Sequence, residues 1–147
     1  MNKNAGFTLI EILIAMLVLS VGLIGMAGLQ ASGLKNNVGA YKRSQATLLA
    51  YDLADRMRAN VQGANTYTTV LPSAAAAQAS CLTLAGCTAA QMAQNDLFEW
   101  NAAINSILTA ATATINVDAT GTYTITLAWD DYDDTDDTNN STFQTSF

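Results

Sequence analysis

Hydrophobic and polar positions follow three successive patterns along the chain. Residues 12–29 carry no charge, and Ser20 is their only strongly polar side chain. Eighteen such residues are enough to cross a bilayer as a helix. Further along, apolar residues recur in steps of three and four, and later in steps of two. These patterns predict a long apolar helix, amphipathic helices and strands.

The apolar helix continues into an amphipathic half. Asp52 and Arg56 are spaced to form an ion pair on one helix face, as are Asp55 and Arg58. We therefore predict a single helix over about residues 7–62. Its apolar stripe consists of Ala46, Leu49, Leu53, Met57 and Val61.

Glycines interrupt the apolar half at Gly22, Gly25 and Gly28. They favour either close approach between helices or local unwinding. Alternatively, they reflect the frequency of glycine in membrane helices. Gly63 is a plausible stop signal for the long helix.

A second helix is predicted at about residues 88–109, after a loop over residues 63–87 that contains the single proline, Pro72. Thr88 and Gln91 have the spacing of a capping box. We expect Trp100 to be a core residue and not a platform for a ligand. The buried stripe of this helix is predicted to be Ala93, Leu97, Trp100, Ile104 and Leu108.

Strands follow the second helix. Ile115 and Val117 alternate with polar residues, a turn is predicted at 118–121, and every second residue from Tyr123 to Trp129 is apolar. Residues 143–147 alternate more weakly and could add a third strand. The predicted fold class is α+β, with a small antiparallel sheet packed on the C-terminal half of the long helix.

Charge and composition exclude several functions. The net charge is −6, and no basic cluster is larger than Lys42-Arg43, so nucleic acid is not a predicted partner. The chain has no histidine, which removes the commonest general base and metal ligand. Because no catalytic constellation or glycine-rich phosphate loop is visible, we predict that the chain is not an enzyme.

Two cysteines, Cys81 and Cys87, are separated by five residues. Their even number suits a small disulfide loop in an oxidising compartment, worth about 2 kcal/mol in the chain-entropy model. Two buried free thiols are the alternative. The spacing does not match redox or zinc motifs of the C-x-x-C type.

Six carboxylates lie within residues 130–137. Clustered oxygen ligands suit Ca²⁺, which is the single cofactor that the sequence suggests, although the cluster lacks the spacing and glycine of an EF-hand loop. The alternative is a solvated loop between strands. The candidate ligands are Asp130, Asp131, Asp133, Asp134, Asp136 and Asp137.

Glu11 is the single charge at the start of the apolar segment, after a short, positively charged stretch at residues 1–6. A carboxylate there costs a few kcal/mol unless it finds a partner. A signal peptide cleaved near Ala31 is the rival interpretation. Its apolar region would exceed the usual length, and it would give Glu11 no role.

The segment Gly6-Phe7-Thr8-Leu9-Ile10-Glu11, followed by the apolar helix, resembles the class III prepilin signal of type IV pilins and type II secretion pseudopilins. The resemblance implies cleavage between Gly6 and Phe7 by prepilin peptidase and N-methylation of Phe7. It also implies that Glu11 faces the N-terminal amine of a neighbouring subunit during assembly.

Four further segments, residues 22–30, 50–60, 96–101 and 123–130, resemble minor pilins of the PilV family. This resemblance implies a role in a minor-pilin complex that primes pilus assembly near the tip. The implied partners are other minor pilins, the major pilin and the inner-membrane assembly platform. Gly28, where many major pilins have a kinking proline, and the mid-chain cysteine pair both argue against a major pilin.

The predicted organisation has a cleaved leader at 1–6, a transmembrane and filament-core helix at 7–33, and a periplasmic head at 34–147. The expected location is the bacterial inner membrane, crossed once in contact with the lipid bilayer, and then the extracellular pilus. The predicted function is that of a structural minor pilin. The alternatives are a minor pseudopilin of type II secretion and a membrane-tethered calcium-binding module.

Overall fold

The computed structural model describes residues 8–131 and 140–147, and its architecture is α+β and type IV pilin-like, as predicted. A long helix is followed by short helices and a three-stranded antiparallel sheet. In chain order the helices and strands are α1 (Leu9–Ala59), α2 (Ala64–Thr69), α3 (Ala89–Ile107), β1 (Thr109–Val117), β2 (Tyr123–Asp130) and β3 (Asn140–Ser146). Short 3₁₀ turns lie at Val61–Gly63, Pro72–Ala74 and Ala79–Leu82.

Helix α1 is uninterrupted through all of its glycines, so this chain shows no local unwinding at Gly22, Gly25 or Gly28. It ends at Ala59, before the predicted end near residue 62, because Asn60 leaves the helical region with φ −122° and ψ 57°. The prediction that Val61 extends the buried stripe is wrong, since this side chain is 72% exposed.

The chain divides into two compact units, Met1–Asn37 and Val38–Phe147. In the described part of the first unit, every residue is exposed. The second unit contains the hydrophobic core, and from here on the word head refers to this unit, Val38–Phe147. The core residues are Ala46, Ala50, Leu53, Ala54, Met57, Tyr67, Ala93, Leu97, Trp100, Ile104, Leu108, Ile115, Ile125, Leu127 and Trp129.

Helix α3 forms as its sequence predicts. Thr88 accepts a hydrogen bond from the Gln91 N–H, and the Gln91 side chain accepts one from the Thr88 N–H, so the capping box is complete. All five positions of the predicted stripe are buried. Trp100 is a core residue, and its Nε1 donates to the Leu49 carbonyl of α1 at 2.7 Å. This bond fixes α3 against α1.

The sheet has the strand order β1-β2-β3, with antiparallel neighbours. The turn between β1 and β2 forms at the predicted position, with Gly121 at φ 88° and the Asp118 carboxylate accepting from the Thr120 and Thr122 N–H groups. Strand β1 begins earlier than predicted, at Thr109. Its pairing with β2 shifts register between Thr109 and Thr112, where a bulge or irregularity interrupts the ladder.

Strand β2 alternates between a buried face and a half-buried face, as predicted from its sequence. Ile125, Leu127 and Trp129 point into the core. Strand β3 covers Asn140–Ser146, slightly earlier than the predicted 143–147, and Phe143 packs against the core from the same face. The third strand that the weak alternation suggested is therefore present.

Residues 63–87 are more ordered than the predicted loop. They contain α2, whose Tyr67 is fully buried. Gly63 is not the stop signal of α1 but the residue preceding α2, and it lies close to α3. A Cβ atom added to Gly63 would lie 2.6 Å from the Ala89 carbonyl oxygen. The backbone does not demand glycine there, because a φ of −86° suits any residue. Glycine is required because the chain passes so close to α3 that a side chain would not fit.

Candidate functional site

The N-terminal half of α1 presents its apolar side chains on every side. By length and composition, α1 can cross a membrane. Its one strongly polar side chain in the uncharged stretch, Ser20, is satisfied within the helix, because its hydroxyl donates to the Met16 carbonyl at 2.7 Å. Among residues 9–29, Glu11 is therefore the one polar side chain for which the described structure shows no hydrogen bond within its own helix.

Glu11 lies in the first turn of α1. A negative charge at this end of a helix interacts favourably with the helix dipole. Its main-chain N–H bonds to the Thr8 carbonyl at 3.1 Å. Among residues 8–131 and 140–147, no cationic side chain pairs with its carboxylate. A countercharge for Glu11 must come from the N-terminal residues outside this range or from another molecule.

The predicted cleavage and methylation site lies outside the described residues. Gly6 and Phe7 both precede residue 8, where the described part of the chain begins. Cleavage between them and methylation of Phe7 stay predictions.

Within the head, hydrogen bonds connect the start of the amphipathic half of α1 to the end of β2. Lys42 is only 9% exposed, and its Nζ donates to the carbonyl oxygens of Asp130 and Asp131 at 2.9 and 2.8 Å. Arg43 approaches the Asp131 carboxylate at 3.6 Å and donates to the Ser141 hydroxyl at 3.3 Å. The Lys42-Arg43 pair is thus a structural clamp on the sheet.

The Asp131 carboxylate is already bound by protein groups. It accepts from Trp129 Nε1 at 2.7 Å and from the Ser141 hydroxyl, and it is buried. Asp130 lies beside it at the end of β2. The described residues contain no group of three potential metal ligands.

The other four candidate calcium ligands lie outside the described residues: Asp133, Asp134, Asp136 and Asp137. Calcium binding by this segment therefore stays a prediction. Titration of the chain with Ca²⁺ by calorimetry tests it, and the absence of heat at millimolar ion would remove it.

Arg56 makes the predicted ion pair with Asp52, at 3.0 Å, and also two contacts that the sequence does not reveal. Its Nη1 lies 3.2 Å from Asp96 and 3.0 Å from Glu99, both on α3. The Tyr67 hydroxyl of α2 donates to the second oxygen of Asp96 at 2.5 Å. This polar cluster connects α1, α2 and α3 beside the core.

Burial raises the pKa of Tyr67, and its hydrogen bond to Asp96 raises it further. The phenol therefore stays neutral and acts as a donor. Burial opposes the charge of Arg56, but its bonds to Glu99 and Asp96 and the attraction of Asp52 raise its pKa. The contacts of this polar cluster hold the three helices together.

Cys81 and Cys87 form the predicted disulfide, with an S–S distance of 2.07 Å. The bond closes a short loop immediately before Thr88, the N-cap of α3. Asp55 and Arg58 also form their predicted ion pair, at 2.8 Å, on the exposed face of α1.

Comparison with known proteins gives two matches to family models. Residues 1–27 match the prokaryotic N-terminal methylation motif, and residues 28–98 match a family described as type IV pilin Tt1218. No curated protein and no solved structure matches the chain. The first 98 residues thus match, without a gap, the methylation motif of prepilins and a type IV pilin family, on a chain whose fold is type IV pilin-like.

Proposed function

We propose that this chain is a structural minor pilin that takes part in priming and assembling type IV pili, close to the tip. The observation that carries the proposal is the order of features at its N-terminus. A methylation motif is followed directly by a pilin family match, and Glu11 stands alone in the first turn of an apolar helix. The pilin family is structural, which supports a role without enzymatic activity.

Assembly follows from the physical chemistry of that helix. Prepilin peptidase removes residues 1–6 and methylates the new terminus at Phe7. The head lies in the periplasm while the helix crosses the inner membrane, and the Cys81–Cys87 disulfide suits this oxidising compartment. The assembly platform then extracts the chain, and the apolar surface passes from lipid to other pilin helices.

Glu11 supplies register during this transfer. A carboxylate in an apolar medium costs a few kcal/mol until it finds a countercharge. The amine of a neighbouring subunit's first residue is a cation of the required kind at the same depth. The pair forms only when the two helices are correctly aligned, so the cost of the unpaired charge penalises wrong registers.

The resemblance to PilV supports the minor-pilin assignment over that of a major pilin. It rests on four segments that reach from the apolar helix to β2. The family match to a type IV pilin favours the pilus over a type II secretion pseudopilus. The expected neighbours are other minor pilins and the major pilin.

The test replaces Glu11 with alanine and uses Ser20→Ala as the matched control. Both changes remove a polar group from the apolar segment, but the Ser20 hydroxyl is already satisfied by Met16 in its own helix. We expect both variants to be cleaved by the peptidase. Glu11→Ala should be missing from sheared filaments and fail to support piliation, whereas Ser20→Ala should behave as the unmodified chain. Normal surface pili with Glu11→Ala would sink the proposal.

A further inference from the structure

The outer edge of β3 offers main-chain hydrogen-bonding groups that nothing described in the chain uses. Strand β3 pairs with β2 and ends the sheet. Tyr123 and Phe147 exchange both main-chain hydrogen bonds, each at 3.0 Å. Such doubly bonded pairs recur at every second residue of an antiparallel ladder, so the intervening residues direct N–H and C=O away from β2. These outward-directed residues are Asn140, Thr142, Gln144 and Ser146.

Within residues 8–131 and 140–147, strand β3 lacks the usual protection of an edge against pairing. Natural edge strands are interrupted by charges, prolines or bulges, or are covered by other elements. Strand β3 contains no charged residue and no proline, although the chain has 12 acidic residues. Its register with β2 runs without a shift from Thr124 to Asp130. The opposite edge differs, because β1 has a register shift at its start and places Ala110 at φ 49°.

On the face of the sheet that points away from α1, the side chains of β3 are also neutral. Thr142, Gln144 and Ser146 are exposed, and Ser146 exchanges a hydrogen bond with Thr124 at 2.9 Å across the sheet. Hydroxyl and amide groups accept an adjacent strand without the desolvation cost of a buried charge. The edge therefore suits an extended segment that is itself uncharged.

We propose that the β3 edge binds an extended, uncharged segment of a neighbouring pilin subunit, which adds a fourth strand to the sheet. The proposal rests on the proposed function for the identity of the neighbour. Main-chain hydrogen bonds give the affinity, and the alternate side chains that face the sheet surface give the specificity.

The partner is a different subunit and not a second copy paired antiparallel. Antiparallel pairing of two β3 edges relates the copies by a twofold axis perpendicular to the sheet. Residues 42–57 of α1 pack on one face of that sheet, so their direction within the sheet plane would be reversed in the second copy. In two subunits that are anchored in one membrane, these α1 segments must point in the same direction. A different subunit can contribute a strand without reversing the direction of its own α1.

The test uses the full chain in cells, with a photo-reactive benzoylphenylalanine at Thr142 and mass spectrometry of the cross-linked peptides. Gln144→Pro removes one outward-directed N–H and leaves the β2–β3 ladder intact, which edge strands tolerate. Gln144→Thr is the matched control, because it keeps the N–H and suits a strand. Gln144→Lys is the second variant: it keeps the N–H but places a charge at the edge.

We expect a cross-link to a peptide from another subunit that carries its own N-terminal methylation motif. It should fall at least about tenfold in Gln144→Pro and in Gln144→Lys, and persist in Gln144→Thr. Melting followed by tryptophan emission shows whether each variant is folded. If Gln144→Pro does not fold, Gln144→Lys decides the outcome.

The proposal is overturned if no cross-link forms, if the cross-linked peptide belongs to the same chain or to a protein of another class, or if neither variant lowers it. Membranes and sheared filaments are scored separately. A chain that enters filaments without the cross-link contradicts the β3 proposal alone. A chain that is absent from filaments contradicts the proposed function, whatever the cross-link in membranes shows.

Discussion

Replacing Gly63 with alanine tests the packing of α2 against the start of α3. The added Cβ would lie 2.6 Å from the Ala89 carbonyl oxygen and 2.5 Å from Asn60 Nδ2. The same Asn60 nitrogen donates to the Ala89 carbonyl at 2.8 Å. Because the Ala89 oxygen belongs to the main chain of a helix, the clash cannot be relieved by turning a side chain.

Two effects of opposite sign compete in this variant. Overpacking costs about 1–3 kcal/mol, and losing the Asn60 bond costs about 1 kcal/mol. Alanine at φ −86° and ψ 1° is not strained, so reduced freedom of the unfolded chain returns about 0.4–1 kcal/mol. The expected net loss is about 2 kcal/mol of unfolding free energy. For a head of about 110 residues, this lowers Tm by roughly 9 °C.

The assay is thermal unfolding of the detergent-solubilised chain, followed by tryptophan emission. Trp100 and Trp129, the two tryptophans, are both buried in the head, so the signal reports the head alone. Gly39→Ala is the matched control, because a Cβ there meets nothing within 4 Å. It should raise stability by up to about 1 kcal/mol. A Gly63→Ala variant as stable as the unmodified chain would refute the packing argument.

Three further predictions concern single groups of the head. Tyr67→Phe should lower the unfolding free energy by about 1–2 kcal/mol at pH 8 in urea titrations, since Asp96 loses a donor. Because folding raises the pKa of Tyr67, its contribution is fully present below about pH 10 and declines as pH rises from there toward the raised pKa. In strong alkali Tyr67→Phe should therefore lose its disadvantage and become the more stable protein. Hydrogen bonds from Thr120 and Thr122 lower the pKa of the Asp118 carboxyl, so the turn should weaken as pH falls below about 4. Amide chemical shifts of the turn should report this change, and Asp118→Asn should not show it. Reducing the Cys81–Cys87 disulfide should cost about 2 kcal/mol in denaturant while leaving tryptophan emission native, because neither cysteine is in the core; complete unfolding on reduction would contradict this.

The sequence predicts the elements whose pattern is strong and local. The stripe of α3 with its capping box, the alternation of β2 and the two ion pairs of α1 all depend on residues a few positions apart. For the same reason the α+β fold and the order of its elements could be predicted. Glu11 could be singled out because a charge is rare in such a segment.

What the sequence does not reveal depends on distant residues. Helix α2 consists largely of Asn and Thr, which favour helices weakly, and it is held by the contact of Tyr67 with Asp96. The early start of β1, residues 109–114, consists of Ala and Thr alone, which give little hydrophobic contrast. Val61 continues the stripe in sequence, but the chain has already left the helix at Asn60. Nothing local marks Arg56 as the partner of two carboxylates on α3.

The central claim is that this chain becomes a filament subunit after processing, and the most direct measurement is mass spectrometry of purified pili. We predict a small number of copies relative to the main subunit, each beginning at an N-methylated Phe7. The same preparation from cells with Glu11→Ala should lack the chain. Two results would contradict the account: the chain is expressed in the cells but absent from their purified pili, or the chain in the pili still carries residues 1–6.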